Sequence, residues 1–286
     1  MRAMRPCPFL ILVAGAVAVW ALALPAAAAE TGRSFTTLSY TTEVAGMTVM
    51  VTEADVEMDA RGYRVDIVTR TAGAYGLLFH GETRALAQGR WVGALVAPHR
   101  YAVDGAWRGM KRRTLMDYVS GQPSILRLEP PNDAEREPVP AALQRETIDT
   151  ISAAALLVHR ATTTGRCDGA TRTFDGRRLF EVHATTVGWE PVPGAAPAAG
   201  PALRCDFAGR VLAGFPIAGD RQAAARPHQG SAWLAAATPG APLLPVRLRF
   251  DMRWLGSATM VLSATRADGV PLVRQRADAN ASPLPR

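Results

Sequence analysis

The sequence predicts an α+β fold, mainly antiparallel β, in which one large curved sheet or half-barrel packs against a helix. Three observations predict it: a strand of strict two-residue alternation from Val246 to Trp254, an Asp-Gly pair between two strand-like runs near residue 175, and helical spacing from Thr150 to Ala161. In the first of these, Val246, Leu248, Phe250, Met252 and Trp254 alternate with Arg247, Arg249, Asp251 and Arg253. That pattern puts one face in a core and the other in water.

In chain order, Phe35 to Val44 and Met47 to Met58 read as strands, and Asp59-Ala60-Arg61-Gly62 reads as a turn. Tyr63, Val65 and Ile67 then alternate with Arg64, Asp66 and Arg70 as a further strand. A Pro-rich loop from Pro130 to Pro140 separates this set from the rest. In the helix, Ile151, Ala154, Ala155 and Val158 fall on one face, with Asp149 or Thr147 placed to cap its start through a side-chain oxygen. The run Thr171 to Phe174, the pair Asp175-Gly176 and the run Arg177 to Val182 predict a hairpin with a two-residue type I′ turn, whose central residues both need positive φ. Pro191 to Pro201 is nearly all Pro, Gly and Ala and reads as a flexible insertion, and a turn at Gly256 precedes a last strand, Ala258 to Thr265.

Ahead of the domain, Arg2 and Arg5 precede an apolar run from Phe9 to Leu24, and four alanines then meet Glu30. This is the three-part layout of a secretory signal peptide, and it predicts cleavage near Glu30 and a periplasmic protein. An uncleaved anchor would need about 20 apolar residues, slightly more than this run offers. Cys7 precedes the run, where a lipidated cysteine would follow it, and no Arg-Arg pair marks twin-arginine export. The expected organisation is therefore a signal peptide over residues 1–29, one β-rich domain over 30–274 and a disordered tail over 275–286. No second apolar run approaches a spanning length, so the mature chain is expected to be soluble.

Loss of Arg2 and Arg5 lowers the formal charge from +7 to +5. The densest basic patch, Lys111-Arg112-Arg113, is too short for a nucleic-acid face, so no nucleic-acid partner is expected. Removal of Cys7 leaves Cys167 and Cys205, which in an oxidising compartment read as one disulfide. Closing a loop of that length is worth roughly 4 kcal/mol in the chain-entropy account.

No Gly-x-Ser-x-Gly elbow is present, and His80, His99, His159, His183 and His228 show no paired-ligand spacing. The reading therefore names no catalytic residue, no metal ligand and no cofactor. Asp149 and Ser152 read either as a small polar site or as the helix cap. Arg247, Arg249 and Arg253 read as candidate ligands for an anionic head group or acidic sugar, and a solvated strand face would carry the same row. Five tryptophans, Trp91, Trp107, Trp189, Trp233 and Trp254, could stack on sugars, though core packing is the default for Trp254.

The order of motifs is itself distinctive. Asp149-Thr150-Ile151-Ser152-Ala153, Cys167-Asp168-Gly169, Phe174-Asp175-Gly176-Arg177-Arg178, Arg204-Cys205-Asp206 and Leu244-Pro245-Val246-Arg247 follow one another along the chain. This series resembles the exported proteobacterial proteins grouped as domain of unknown function 3108, from about Thr37 to Arg266. Its most specific element is the Asp175-Gly176-Arg177-Arg178 hairpin between the cysteines. The resemblance implies a periplasmic, predominantly antiparallel β protein and no established activity; the Pro191 to Pro201 insertion looks longer than such proteins carry.

A curved sheet closed on one side by a helix would form a concave apolar trough, the usual place for a ligand. The leading expectation is a non-enzymatic periplasmic protein that binds or carries an amphipathic envelope component, such as a lipid or acyl chain. One alternative is a periplasmic hydrolase or polysaccharide-modifying enzyme using Asp149, Asp175 or a histidine, which needs a carboxylate and a histidine in contact within a cleft. Another is a structural module whose exposed strand edge pairs with a partner. The crosslink is checked by mass: alkylation of the denatured, unreduced protein leaves Cys167 and Cys205 unlabelled, and labelling of both would refute the pairing.

Overall fold

Fourteen strands, counted among the described residues, make one sheet in which the paired strands run antiparallel. The computed structural model describes residues 34–107, 109–194, 200–237, 240–252, 256–267 and 270–274. The expected signal peptide, Arg253, Trp254, the tail from Gln275 and residues 195–199 of the Pro/Ala/Gly-rich insertion lie outside them. Strands β1 (Ser34–Val44), β2 (Met47–Met58), β3 (Gly62–Thr71), β4 (Gly81–Val92), β5 (Leu95–Trp107), β6 (Met110–Val119) and β7 (Gln122–Glu129) follow as a meander, with helix α1 (Gly73–Leu78) between β3 and β4. A second meander runs through β8 (Gly169–Phe174), β9 (Leu179–Pro191), β10 (Pro201–Ala213), β11 (His228–Ala236), β12 (Leu243–Met252) and β13 (Gly256–Ala267), and β14 (Val270–Arg274) also pairs with β13. The two meanders join where β1 pairs with β13, from Thr36 opposite Ala267 to Val44 opposite Ala258, which leaves β7 and β8 as the ends of the strand order.

Those two ends are consecutive in the chain, so the link between them must travel from one edge of the sheet to the other. It carries helices α2 (Ala141–Gln144) and α3 (Thr150–Thr164). An isolated helix of this length is marginal in water, so α3 owes its stability to packing. Its sides reach three apolar clusters: Ala155 joins Tyr63, Ala87 and Met116; Val158 joins Leu38, Tyr40 and Leu262; Ala161 joins Leu203, Ala232 and Leu234. A helix apolar on several sides belongs inside a core, and this one fills the inner face of the sheet. The helix runs three residues beyond the expected end at Ala161, because the stop signal is Gly165 at φ 68, whose N–H donates to Ala161 O at 2.9 Å.

The cysteines do form a disulfide, with Cα atoms 6.0 Å apart. The insertion between the cysteines does not need this bond to close it, since the β9–β10 ladder already closes that segment at Pro191 opposite Pro201. Cys167 follows α3 directly and Cys205 lies within β10, so the bond fastens the C-terminal end of the helix to the sheet. Beside it, the Asp168 carboxylate accepts from Thr186 N–H at 3.0 Å and Thr186 Oγ at 2.7 Å, and these bonds hold its pKa down at about 2.

The Asp175-Gly176-Arg177-Arg178 segment departs from a type I′ turn. Only Gly176 has positive φ, at 89°, and Asp175 N–H donates to Arg178 O at 3.2 Å across a four-residue connection. The Asp175 side chain sets this shape by accepting from the N–H groups of Arg177 (2.9 Å) and Arg178 (2.7 Å). A Cβ on Gly176 would lie 2.7 Å from Thr114 Cγ2, so the turn sits against β6. From there the buried Arg177 guanidinium donates to Glu129 O at 2.7 Å and Pro130 O at 2.9 Å, at the end of β7. One side chain thus ties the β8–β9 turn to the opposite edge of a sheet whose two end strands do not pair.

Arg177→Ala removes charge-assisted bonds from two carbonyls and is expected to cost about 2–4 kcal/mol in denaturant unfolding. Arg178→Ala breaks a partly exposed pair with Asp175 and a stacking contact over Phe180, and costs about 1 kcal/mol. Equal losses from the two variants would contradict the staple.

Candidate functional site

Asp149 and Ser152 stand together at the start of α3, both wholly buried. Asp149 caps the helix, its carboxylate accepting from Ser152 N–H at 2.8 Å and from the Ser152 hydroxyl. Ser152 in turn accepts from Tyr63 of β3 at 2.5 Å, so a chain of three polar groups links sheet to helix. The Tyr118 hydroxyl is also buried, without a hydrogen-bond partner. His159, about two turns further along α3, stacks on Trp91 at 4.0 Å, and burial holds its pKa below the ordinary value. The buried Tyr63, Ser152 and Asp149 chain positions the helix on the sheet.

The arginine row faces the other way. On the outer surface of β9 to β12, alternate residues line a groove of about 590 Å³ that includes Arg204, Trp233, Arg247 and Arg249. Trp233 is 4% exposed although it lies on the outer face, because it pairs with Arg247 across the ladder, donates Nε1–H to Glu190 at 2.8 Å and lies under the Arg204 guanidinium at 5.5 Å. Arg204 is neutralised by Asp206 at 2.9 and 3.1 Å, and Ser231 donates to the same carboxylate at 2.7 Å. Arg249 has a distant partner, Asp251 at 3.9 Å. Arg247 is half-buried and forms no ion pair among the described residues; burial and the neighbouring Arg249 push its pKa down, against the pull of Glu43. The groove therefore holds a cation that is partly desolvated and has no ion-pair partner among the described residues. Arg253, the third member of the row, lies outside the described residues.

Glu190, Arg204, Asp206, Ser231 and Trp233 complete this surface; the sequence named Trp233 only as one of five tryptophans and Arg204 and Asp206 only as part of a motif, and Glu190 and Ser231 not at all. Their signal was the two-residue spacing of Arg204 with Asp206 and of Ser231 with Trp233, which places each pair on one strand face. A carboxylate and a histidine do meet at the edge of the groove: His183 Nε2 is 3.3 Å from Glu181 Oε2. Glu181 is also bound by Arg210 at 2.8 and 3.0 Å, and the pair lies open to water. Asp175 is engaged by its own turn. No group of three or more His, Cys, Asp or Glu side chains gathers as a metal site among the described residues.

An open antiparallel sheet packed on a central helix, with a disulfide at the helix end and a four-residue Asp-Gly-Arg-Arg turn, defines the class. The chain belongs to the family described as protein of unknown function (DUF3108), whose model matches residues 35–263. No curated protein matches it. Among solved structures it is similar to a β-barrel-like protein of domain of unknown function DUF1849 from Brucella abortus, at 11% identity and a TM-score of 0.47, covering 82% of this chain and 98% of that one.

Burial raises the Asp149 pKa from 3.8 to about 6, with the Ser152 hydrogen bonds opposing the shift. Between those values the folded state holds a proton that the unfolded state releases, so this residue's contribution to stability falls as pH rises from 4 to 7, by about 3 kcal/mol. Asp149→Asn keeps a capping oxygen and removes the titration. The stability of the wild type relative to that variant, measured by urea unfolding, is expected to fall across this window; a pH-independent difference would show that Asp149 does not titrate as a buried acid.

Proposed function

We propose that this protein is a non-catalytic binding protein of the cell envelope that holds the anionic head group of an amphipathic component on the outer face of β9 to β12. The observation that carries the reading is the half-buried Arg247 guanidinium, without an ion-pair partner among the described residues, beside Arg249 in a groove of about 590 Å³. An anion placed there would gain charge-assisted hydrogen bonds in a partly desolvated setting, where they are roughly twice as strong as neutral ones. Trp233 beneath Arg204 supplies a rigid wall.

The inner trough expected for an acyl chain is occupied by α3, with Ala155, Leu156, Val158 and Ala161 all buried among sheet residues. Any apolar tail would therefore lie along the outside or in a partner, and the binding protein presents its cargo rather than enclosing it. Export to the periplasm, inferred from residues 1–29, supports an envelope ligand over a cytoplasmic one. The hydrolytic alternative draws on the Glu181–His183 contact, and one hydroxyl of the groove, that of Ser231, is committed to Asp206.

Native mass spectrometry of the protein purified from the periplasm, with solvent extraction of bound material, is expected to find an anionic amphiphile near one per chain. In the doubly substituted protein, Arg247→Ser with Arg249→Ser, occupancy drops at least tenfold. A clean apo mass, or occupancy unchanged by the substitutions, overturns the assignment.

A further inference from the structure

The free side of β8 is only half covered. Ile148 N–H donates to Arg172 O at 3.1 Å and Phe174 N–H donates to Ile148 O at 2.8 Å, so the segment before α3 runs parallel to the far half of β8. Two residues earlier, Glu146 stands at φ 58, a left-handed backbone that ends the pairing. Edge-facing groups recur at every second residue of a strand. Arg172 N–H and both backbone groups of Ala170 therefore face away from β9, with no backbone partner among the described residues.

Along this uncovered stretch lies a slot of about 510 Å³, lined by Leu95, Val96 and Pro98 of β5, Leu156 of α3 and Ala170 of β8. Its lining is chiefly apolar, and Leu95 is 63% exposed. Of the charges around it, Arg160 donates to Asp168 O at 2.8 Å, Arg172 Nη2 donates to Leu143 O at 2.8 Å while its buried Nε has no partner among the described residues, and Glu181 is held by Arg210. A donor, acceptor, donor series beside an apolar channel matches the backbone of an extended polypeptide with apolar side chains.

We propose that this slot takes an extended peptide segment of a partner protein, which adds to β8 as a strand and seats alternate apolar side chains against Leu95, Val96 and Leu156. Main-chain hydrogen bonds supply affinity in this mode, and the pockets for every second side chain supply selectivity. The slot shares no lining residue with the Arg247 groove, so the two sites stand or fall separately.

The test uses the full mature protein and a random twelve-residue peptide library displayed on phage. Selection is expected to enrich proline-poor peptides with apolar residues at alternate positions, and a synthetic copy should slow hydrogen exchange at the Ala170 and Arg172 amides. Ala170→Pro, which removes an edge N–H, and Leu95→Lys, at an exposed position that folding does not need, should each weaken binding at least tenfold. Arg247→Ser with Arg249→Ser should leave it unchanged. Failure to enrich alternating peptides, or binding indifferent to both slot variants, overturns the proposal. A dimer in sedimentation that both slot variants abolish would assign the edge to a second copy of this chain and overturn it equally.

Discussion

A strongly curved antiparallel sheet has an apolar inner face that the chain must cover, and in this protein α3 covers it. The helix sits in the crossing link between the two edge strands, so topology delivers it to the inner face without further design. Its N-terminus is held by the Tyr63, Ser152 and Asp149 chain and its C-terminus by the Cys167–Cys205 disulfide. Fixed at both ends and packed on three sides, it serves as core for both meanders at once. Burying Asp149 is the cost of that arrangement, and it falls as the carboxyl takes up a proton below about pH 6.

Filling the inner face moves ligand chemistry outward. The outer surface of β9 to β12 gathers arginines, carboxylates and one buried tryptophan, and among the described residues Arg247 is left without an ion-pair partner. Next to β9, at the end of the strand order, incomplete closure leaves an edge of β8 uncovered among the described residues. Arg177 closes the gap at the β8–β9 turn, while the left-handed Glu146 keeps the neighbouring segment from closing it along the first half of β8. Both candidate surfaces thus follow from how the sheet is filled and closed.

Much of this was legible from residues alone. β3 and β12 carry clean alternation, α3 carries helical spacing, and Cys167 and Cys205, the two cysteines of the domain, leave one pairing. β4 to β7 were not legible, and the reason is physical. On β4 the inward positions are small, with Ala87 wholly buried and a Cβ on Gly89 set to lie 2.6 Å from the Tyr63 hydroxyl, while β5 and β6 bury isolated large residues, Tyr101 and Met116. Small residues give weak hydrophobic contrast, so period-two patterning fades where packing is tightest. The Asp-Gly pair announced a turn correctly, but its type was set by the Asp175 side chain, which a dipeptide rule does not weigh. Beyond the arginine row of β12, the groove was not legible because its other residues come from β9, β10 and β11, far apart in the chain.

The central claim is that α3 is a permanent part of the core and leaves no room for cargo inside. Native-state hydrogen exchange of the α3 amides between Ala153 and Ala161 tests it most directly. If the helix is integral, these amides exchange only through global unfolding, with the same free energy as the slowest amides of β3 and β4. Exchange through a cheaper opening that releases α3 while the sheet stays protected would contradict the account and restore the inner trough as a binding site.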